Sequence, residues 1–227
     1  IEAKVQGKLY EGLKAGNFIP ATTDEATFAS KYIQSSQTVL PTISDDLKAG
    51  AIQATLFSLL AIFVYILIRF RKWQYSLGTI VALLHDVCIT LAVFSFFRGV
   101  VPFALEIDQH FIAAILTVIG YSMNDTVIVF DRVREFLAGK TKGNFNQIVN
   151  ASINTTMSRT VNTSLTMILV LAIMFIFGGE SIRGFIFAML VGIVVGTYSS
   201  LFIATPVLCD TISKAEHDRI EAEHNAA

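Results

Sequence analysis

Five long apolar stretches, joined by shorter polar connections, organise this chain. A helix crossing a hydrocarbon core needs about 20 mostly apolar residues. Residues 49–70, 76–97, 109–130, roughly 157–178 and 184–208 all reach that length. The pattern predicts an all-α polytopic membrane protein with five spanning helices. The first stretch, AGAIQATLFSLLAIFVYILIRF, ends at the basic cluster Arg69, Arg71 and Lys72. Just before it, SDDLKAG at 44–50 reads as a helix start, with Ser44 as cap and two carboxylates in the first turn.

The longest internal connection, 131–156, has its own pattern. GKTKGN at 139–144 reads as a turn. Beyond it, Phe145, Ile148, Val149, Ile153 and Met157 recur at near-helical spacing. That spacing predicts an amphipathic helix on the membrane surface that continues into the fourth span.

Residues 1–48 are polar, mixed in charge and free of any membrane-length run. Gly7, Gly12, Gly16, Pro20, Thr22, Asp24, Pro41 and Ser44 supply turn-forming and capping chemistry. Segments below about 40–60 residues are marginal as independent domains. We therefore expect the C-terminal remnant of an extracytoplasmic (periplasmic) α+β domain, followed by a transmembrane domain over 49–210 and a tail over 211–227. The chain opens on Ile1 rather than Met, and a piece of a longer polypeptide is expected.

Composition supports the membrane reading. Hydrophobic residues make up 53% and charged residues 15% of the 227, against about 25% charged in ordinary soluble domains. The net charge of -1 leaves no nucleic-acid footprint. Cys88 and Cys209 fall in apolar stretches without metal-ligand spacing and read as small core thiols. No nucleophile–base set, phosphate loop or metal cluster is visible, so neither enzyme activity nor a cofactor is expected.

Orientation follows from the basic residues of the loops. Arg71 and Lys72 follow the first span, with Arg69 just inside it. Arg132, Arg134, Lys140 and Lys142 follow the third, and Lys214 and Arg219 lie in the tail. The opposite loops carry only Arg98 and Arg183. The basic loops are expected in the cytoplasm, with residues 1–48 outside and the C-terminus inside.

Ionisable groups within the spans are few: His85, Asp86, Asp125 and, at the mouth of the fourth span, Arg159. An Asp or Arg at a helix centre costs roughly 2.5–3.5 kcal/mol even on insertion-based scales, so such groups face protein or water and pair. Asp125 has two readings: a hydrogen-bonding group that locks helices together, or a protonatable group in an ion pathway. By residue count it lies about 24 Å into the third helix, and Arg159 about 7 Å into the fourth from the other side, so the two share a level. Thr155, Arg159, Asn162 and Thr166 form a polar stripe on the fourth helix, while Ser122 and Asp125, beside Asn124, share a face of the third. Two polar faces at one depth predict a hydrated seam.

A guanidinium favours the ionised carboxylate and desolvation the protonated one. Two helix arrangements, with Asp125 paired to Arg159 in one and protonated in the other, would carry protons; Arg stays charged in both. His85 and Asp86 lie near midplane, with Thr90 on the Asp86 face, and read equally as a second polar point of the pathway or a satisfied core pair. Asp131, Arg132, Arg134 and Glu135 mark the membrane exit as a solvated helix end with local ion pairs. Gly192 and Gly196 form a GxxxG pair, followed by Ser199 and Ser200, which predicts close helix packing.

Longer motifs carry a family resemblance. LLHDVCITL (83–91), EIDQHFIAAILTVIGYSMNDTVIVFDRVRE (106–135), SRTVNTSLT (158–166), FGGESIRGF (177–185) and GIVVGTYSSLFIATP (192–206) together resemble SecF of the SecD/SecF family, above all the SecF half of fused SecDF chains. The resemblance runs in order over residues 37–210. It implies a transmembrane bundle of the RND superfamily, with one helix and most of an extracytoplasmic domain lying outside this sequence. It also implies an inner-membrane role in late, proton-motive-force-driven preprotein translocation, with SecD, SecYEG and YajC as partners. In that family the Asp of GYSxND and the Arg of SRT belong to the proton pathway; here they are Asp125 and Arg159. One departure is VLPTI at 39–43, where Leu40 stands in place of the usual Gly. Half of an RND-type exporter of small molecules or lipids, and a non-transporting membrane scaffold, remain as alternatives.

Overall fold

The computed structural model describes residues 2–20, 22–33, 41–139 and 144–212, which hold helices and no strand. The expected 211–227 tail beyond Ile212, most of the GKTKGN turn and the Leu40 position lie outside the described residues.

The chain divides into two compact units, 1–50 and 51–227. In the first, α1 (Glu2–Ala15) and α2 (Glu25–Lys31) pack through aromatic rings. The Tyr10 and Phe28 centroids lie 5.5 Å apart, and the Tyr10 hydroxyl donates to the Thr23 carbonyl at 2.7 Å. Asp24 caps α2, accepting from the Thr27 amide at 3.3 Å. Gly7 and Gly12 lie within α1 rather than in turns. The strands of the expected α+β domain are not among the described residues.

Among the described residues, five helical stretches are long and apolar enough to cross a membrane. α3 (Pro41–Phe70) begins before Ser44, so Ser44 falls in its first turn and is not the cap. Proline explains the earlier start: it has no amide hydrogen to leave unsatisfied and its φ suits the first helical position. Arg71, at φ 58°, turns the chain out of the helix. α4 (Trp73–Phe97) follows at once, and Phe70 stacks on Tyr75 at 4.9 Å.

α5 (Gln109–Ala138) is capped by Asp108, which accepts from the Phe111 amide at 2.9 Å. α6 (Phe145–Phe177) is one continuous helix in which the amphipathic segment and the fourth span merge, as the spacing predicted. Its start is a capping box: Asn144 accepts from the Gln147 amide at 2.9 Å and Gln147 reciprocates at 3.2 Å. α7 (Glu180–Phe202) and the short α8 (Ala204–Thr211) complete the bundle.

α7 is the central element, packed against α4, α5 and α6. The GxxxG pair sets the α5 approach. A β-carbon on Gly192 would collide with the Val118 side chain, and one on Gly196 would lie 2.9 Å from the Ser122 β-carbon. Two apolar clusters fill the bundle. One centres on Leu83, Ile115, Ile119, Ile186 and Ile193, the other on Ile66, Phe130, Val133 and Leu208. Both cysteines are free thiols, but Cys88 is exposed on the outer face of α4 rather than buried in a core.

Candidate intramembrane polar site

Between the two clusters lies a layer of polar side chains from four helices. Asp86 on α4 is fully buried, and both its carboxylate oxygens are engaged. Ser122 Oγ on α5 donates to Asp86 Oδ2 at 2.6 Å, and His85 Nδ1 lies 3.2 Å from Oδ1. Thr90 bonds back to the Asp86 carbonyl at 2.7 Å, which fixes the shared face expected of the pair. Gly196 lets α7 close over this contact, since a β-carbon there would sit 2.9 Å from the Ser122 β-carbon and 3.1 Å from its Oγ. Ser200 Oγ and Thr126 Oγ1, 2.9 Å apart, extend the polar layer between α7 and α5. The ring of His85, half-buried, faces Tyr198 at 6.5 Å.

Asp125 lies one turn further along α5 and is 2% exposed. Its Oδ2 is buried with no hydrogen-bond partner, unlike either oxygen of Asp86. The groups that act on it electrostatically are the Arg159 guanidinium and the Ser164 hydroxyl, both on α6. No ion pair joins Asp125 to Arg159 in this arrangement of the helices, and Arg159 is exposed. Asn124 is exposed as well.

Two polar rows run along α6. Thr155, Arg159, Asn162 and Thr166, expected to line a seam with Asp125, instead lie on an exposed face. The row turned into the bundle is Ser152, Thr156, Thr160 and Ser164. Ser164 Oγ meets Thr197 Oγ1 of α7 at 2.6 Å. Size explains the choice. Serine and threonine let neighbouring helices approach and satisfy their hydroxyls on the preceding turn, whereas an arginine inside would need a buried counter-charge. The sequence signal for this inner row was the same i, i+4 recurrence that marked the outer one.

At the end of α5 next to α3, Arg69 pairs with Asp131 at 2.9 Å and Arg132 with Glu135 at 2.6 Å. Arg132 Nε also donates to Thr155 Oγ1 at 3.2 Å, tying α5 to α6. The expected local ion pairs are present. Among the described residues no cluster of His, Cys, Asp or Glu could hold a metal ion.

Comparison with known proteins places the chain in a wider group. The family model described as protein export membrane protein SecD/SecF, C-terminal, matches residues 20–214. The protein translocase subunit SecF of Rhodothermus marinus is 60% identical over 176 residues, covering 77% of this chain and 56% of that protein. Its counterpart in Vibrio alginolyticus is 40% identical over 206 residues, covering 91% and 63%. Among solved structures, the translocon-associated membrane protein SecDF of Thermus thermophilus matches with a TM-score of 0.70 and 37% identity. That match covers 82% of this chain and 25% of SecDF. The chain thus spans little more than half the length of these curated relatives.

Proposed function

The chain belongs to the SecD/SecF family of protein export membrane proteins, and from that premise we propose that it couples proton movement through Asp125 to late-stage export of preproteins. The observation that carries this reading is the contrast between two buried carboxylates. A carboxylate that only locks helices together engages its oxygens, as Asp86 does with Ser122 and His85. Asp125 leaves a buried oxygen without a partner, which suits a group that takes up and releases a proton.

Arg159 supplies the counter-charge in the proposed cycle. It acts on Asp125 from α6 without an ion pair. A second arrangement, in which α5 and α6 shift, pairs the two and holds the carboxylate ionised. Proton entry from one side and exit to the other then drives the exchange. His85 and Asp86, with both carboxylate oxygens engaged, act as the satisfied polar pair that fixes α4 against α5 beside Asp125.

The proposed setting is the bacterial inner membrane, with the basic loops and the C-terminus in the cytoplasm and residues 1–48 on the periplasmic side. The exposed row Thr155, Arg159, Asn162 and Thr166 needs protein or water over it at membrane depth. A SecD partner, separate or in the same polypeptide, is the proposed cover. SecYEG, the translocating preprotein and YajC complete the proposed assembly.

Affinity purification of the tagged full-length protein from gently solubilised membranes tests the setting. Recovery of SecD and the SecYEG channel is expected. Recovery without any Sec component, alongside extrusion of a small apolar molecule, would point to an exporter.

A further inference from the structure

Among the described residues, Ser164 is the hydroxyl of the inner α6 row that bonds to a neighbouring helix. Ser152 and Thr156 spend their hydrogens on carbonyls of α6 itself, whereas Ser164 Oγ lies 2.6 Å from Thr197 Oγ1 of α7. Counting hydrogens gives that bond its direction. Thr197 Oγ1 donates to the Ile193 carbonyl at 2.7 Å, and a carbonyl can only accept. A hydroxyl has one hydrogen, so Ser164 is the donor to Thr197. Ser164 then has lone pairs to offer and no hydrogen for a second acceptor.

Two helix registers bring this bond to Asp125. Between α5 and α7, Val118 meets Gly192, Ser122 meets Gly196 and Thr126 meets Ser200. That constant offset sets Thr197 level with Met123. Between the antiparallel α5 and α6, Arg132 meets Thr155, and nine residues back on α5 and nine forward on α6 Met123 lies level with Ser164. The two registers agree, and they put the Ser164–Thr197 bond about 3 Å from Asp125 along the helix axis. Helical side chains lean toward their own N-terminus, so the Asp125 carboxyl is directed to that level. Ser164 is the hydroxyl that acts on it, and Arg159, also on α6, the charged group. Asp86 and His85 of α4 are engaged with Ser122 and with each other. With the Ser164 hydrogen on Thr197, a carboxylate at Asp125 lacks a donor, as its partnerless buried Oδ2 shows. A protonated carboxyl supplies the hydrogen itself.

We propose that Ser164 and Thr197 are positioning residues that form a reversible hydrogen-bond chain, serving Asp125 in both protonation states while keeping α6 bonded to α7. This rests on the proton-coupled reading of Asp125 and adds what holds the carboxyl as its charge changes. With Asp125 protonated, the chain runs from its hydroxyl to Ser164, on to Thr197 and ends at the Ile193 carbonyl. When the proton leaves, both hydroxyls rotate. Ser164 donates to the carboxylate, Thr197 donates to Ser164, and the Ile193 carbonyl keeps its helical amide donor. Neither hydroxyl gains or loses a proton, so the chain reverses by rotation alone.

Proton flux into proteoliposomes tests this, using the full-length protein with its partner subunit, an internal pH dye and an imposed gradient. Ser164→Ala leaves the ionised carboxylate without its hydroxyl donor, and flux should fall about tenfold or more, the worth of a hydrogen bond to a charged group. Thr197→Val should cost about fivefold, as for a bond between neutral groups. Because Thr197 acts through Ser164, adding Thr197→Val to Ser164→Ala should lower flux no further. Ser164→Thr restores flux to near wild type, and the exposed Thr117→Val leaves it unchanged. In infrared spectra the carboxyl band that Asp125→Asn removes should shift in Ser164→Ala and in Thr197→Val, and return in Ser164→Thr. An unshifted band in Ser164→Ala, with Asp125→Asn blocked, overturns the chain and leaves the Asp125 reading standing. Losses that multiply in the double variant also overturn the chain. Wild-type flux in Asp125→Asn overturns both. Should Ser164→Ala fail to assemble, Thr197→Val decides: a shifted band with reduced flux supports the chain, and an unshifted band overturns it.

Discussion

Ser122 Oγ donates to the Asp86 carboxylate at 2.6 Å, and the bond is sealed by Gly196 of a third helix. One short hydrogen bond thus joins α4 and α5 where Gly196 brings α7 against Ser122. Ser122→Ala leaves Asp86 Oδ2 buried without its donor. The expected cost lies between about 0.6 kcal/mol, the average for hydrogen bonds between membrane helices, and about 3 kcal/mol for an orphaned buried acceptor. Thermal unfolding of the purified full-length protein in nanodiscs measures it.

The glycine approach makes a separate prediction. Gly192→Ala puts a methyl group into the Val118 side chain, and overpacking of this kind costs about 1–3 kcal/mol. Val118→Ala on the same background should recover much of the loss. A double-mutant cycle on unfolding midpoints checks the coupling, and independent effects would contradict the packing.

At the start of α6, the reciprocal bonds between Asn144 and Gln147 hold the helix entry. Asn144→Ala should destabilise that end by about 1 kcal/mol. Faster hydrogen exchange at Gln147 and Ile148, with the α7 amides unchanged, is the expected signature.

The five spans were legible because each is a long apolar run bounded by charge, and the bundle needs little more than that. The helix starts were less so. Pro41 extends α3 beyond the expected cap at Ser44, since the apolar pattern says nothing about where a polar first turn begins. Asp125 and Asp86 were legible as rare carboxylates within spans. Which polar row of α6 turns inward was not, because both recur at helical spacing on adjoining faces of one cylinder. Side-chain size and the cost of burying Arg159 decide that, and those act only once α5 and α7 are in place.

Orientation carries a simple check. With basic loops in the cytoplasm, a cysteine at Arg134 should react with an impermeant maleimide only from the cytoplasmic side, and one at Glu106 only from the other. Cys88 and Cys209 are replaced beforehand to silence them. The reverse pattern would invert the proposed path of the proton.

The central claim is that Asp125 carries the proton that drives export. The most direct measurement follows preprotein entry into inverted membrane vesicles containing the full-length protein, with and without an imposed proton gradient. Wild type should gain a gradient-dependent increment, and Asp125→Asn and Arg159→Met should lose it while still assembling with their partners. A gradient-dependent increment in assembled Asp125→Asn equal to that of wild type would contradict the account.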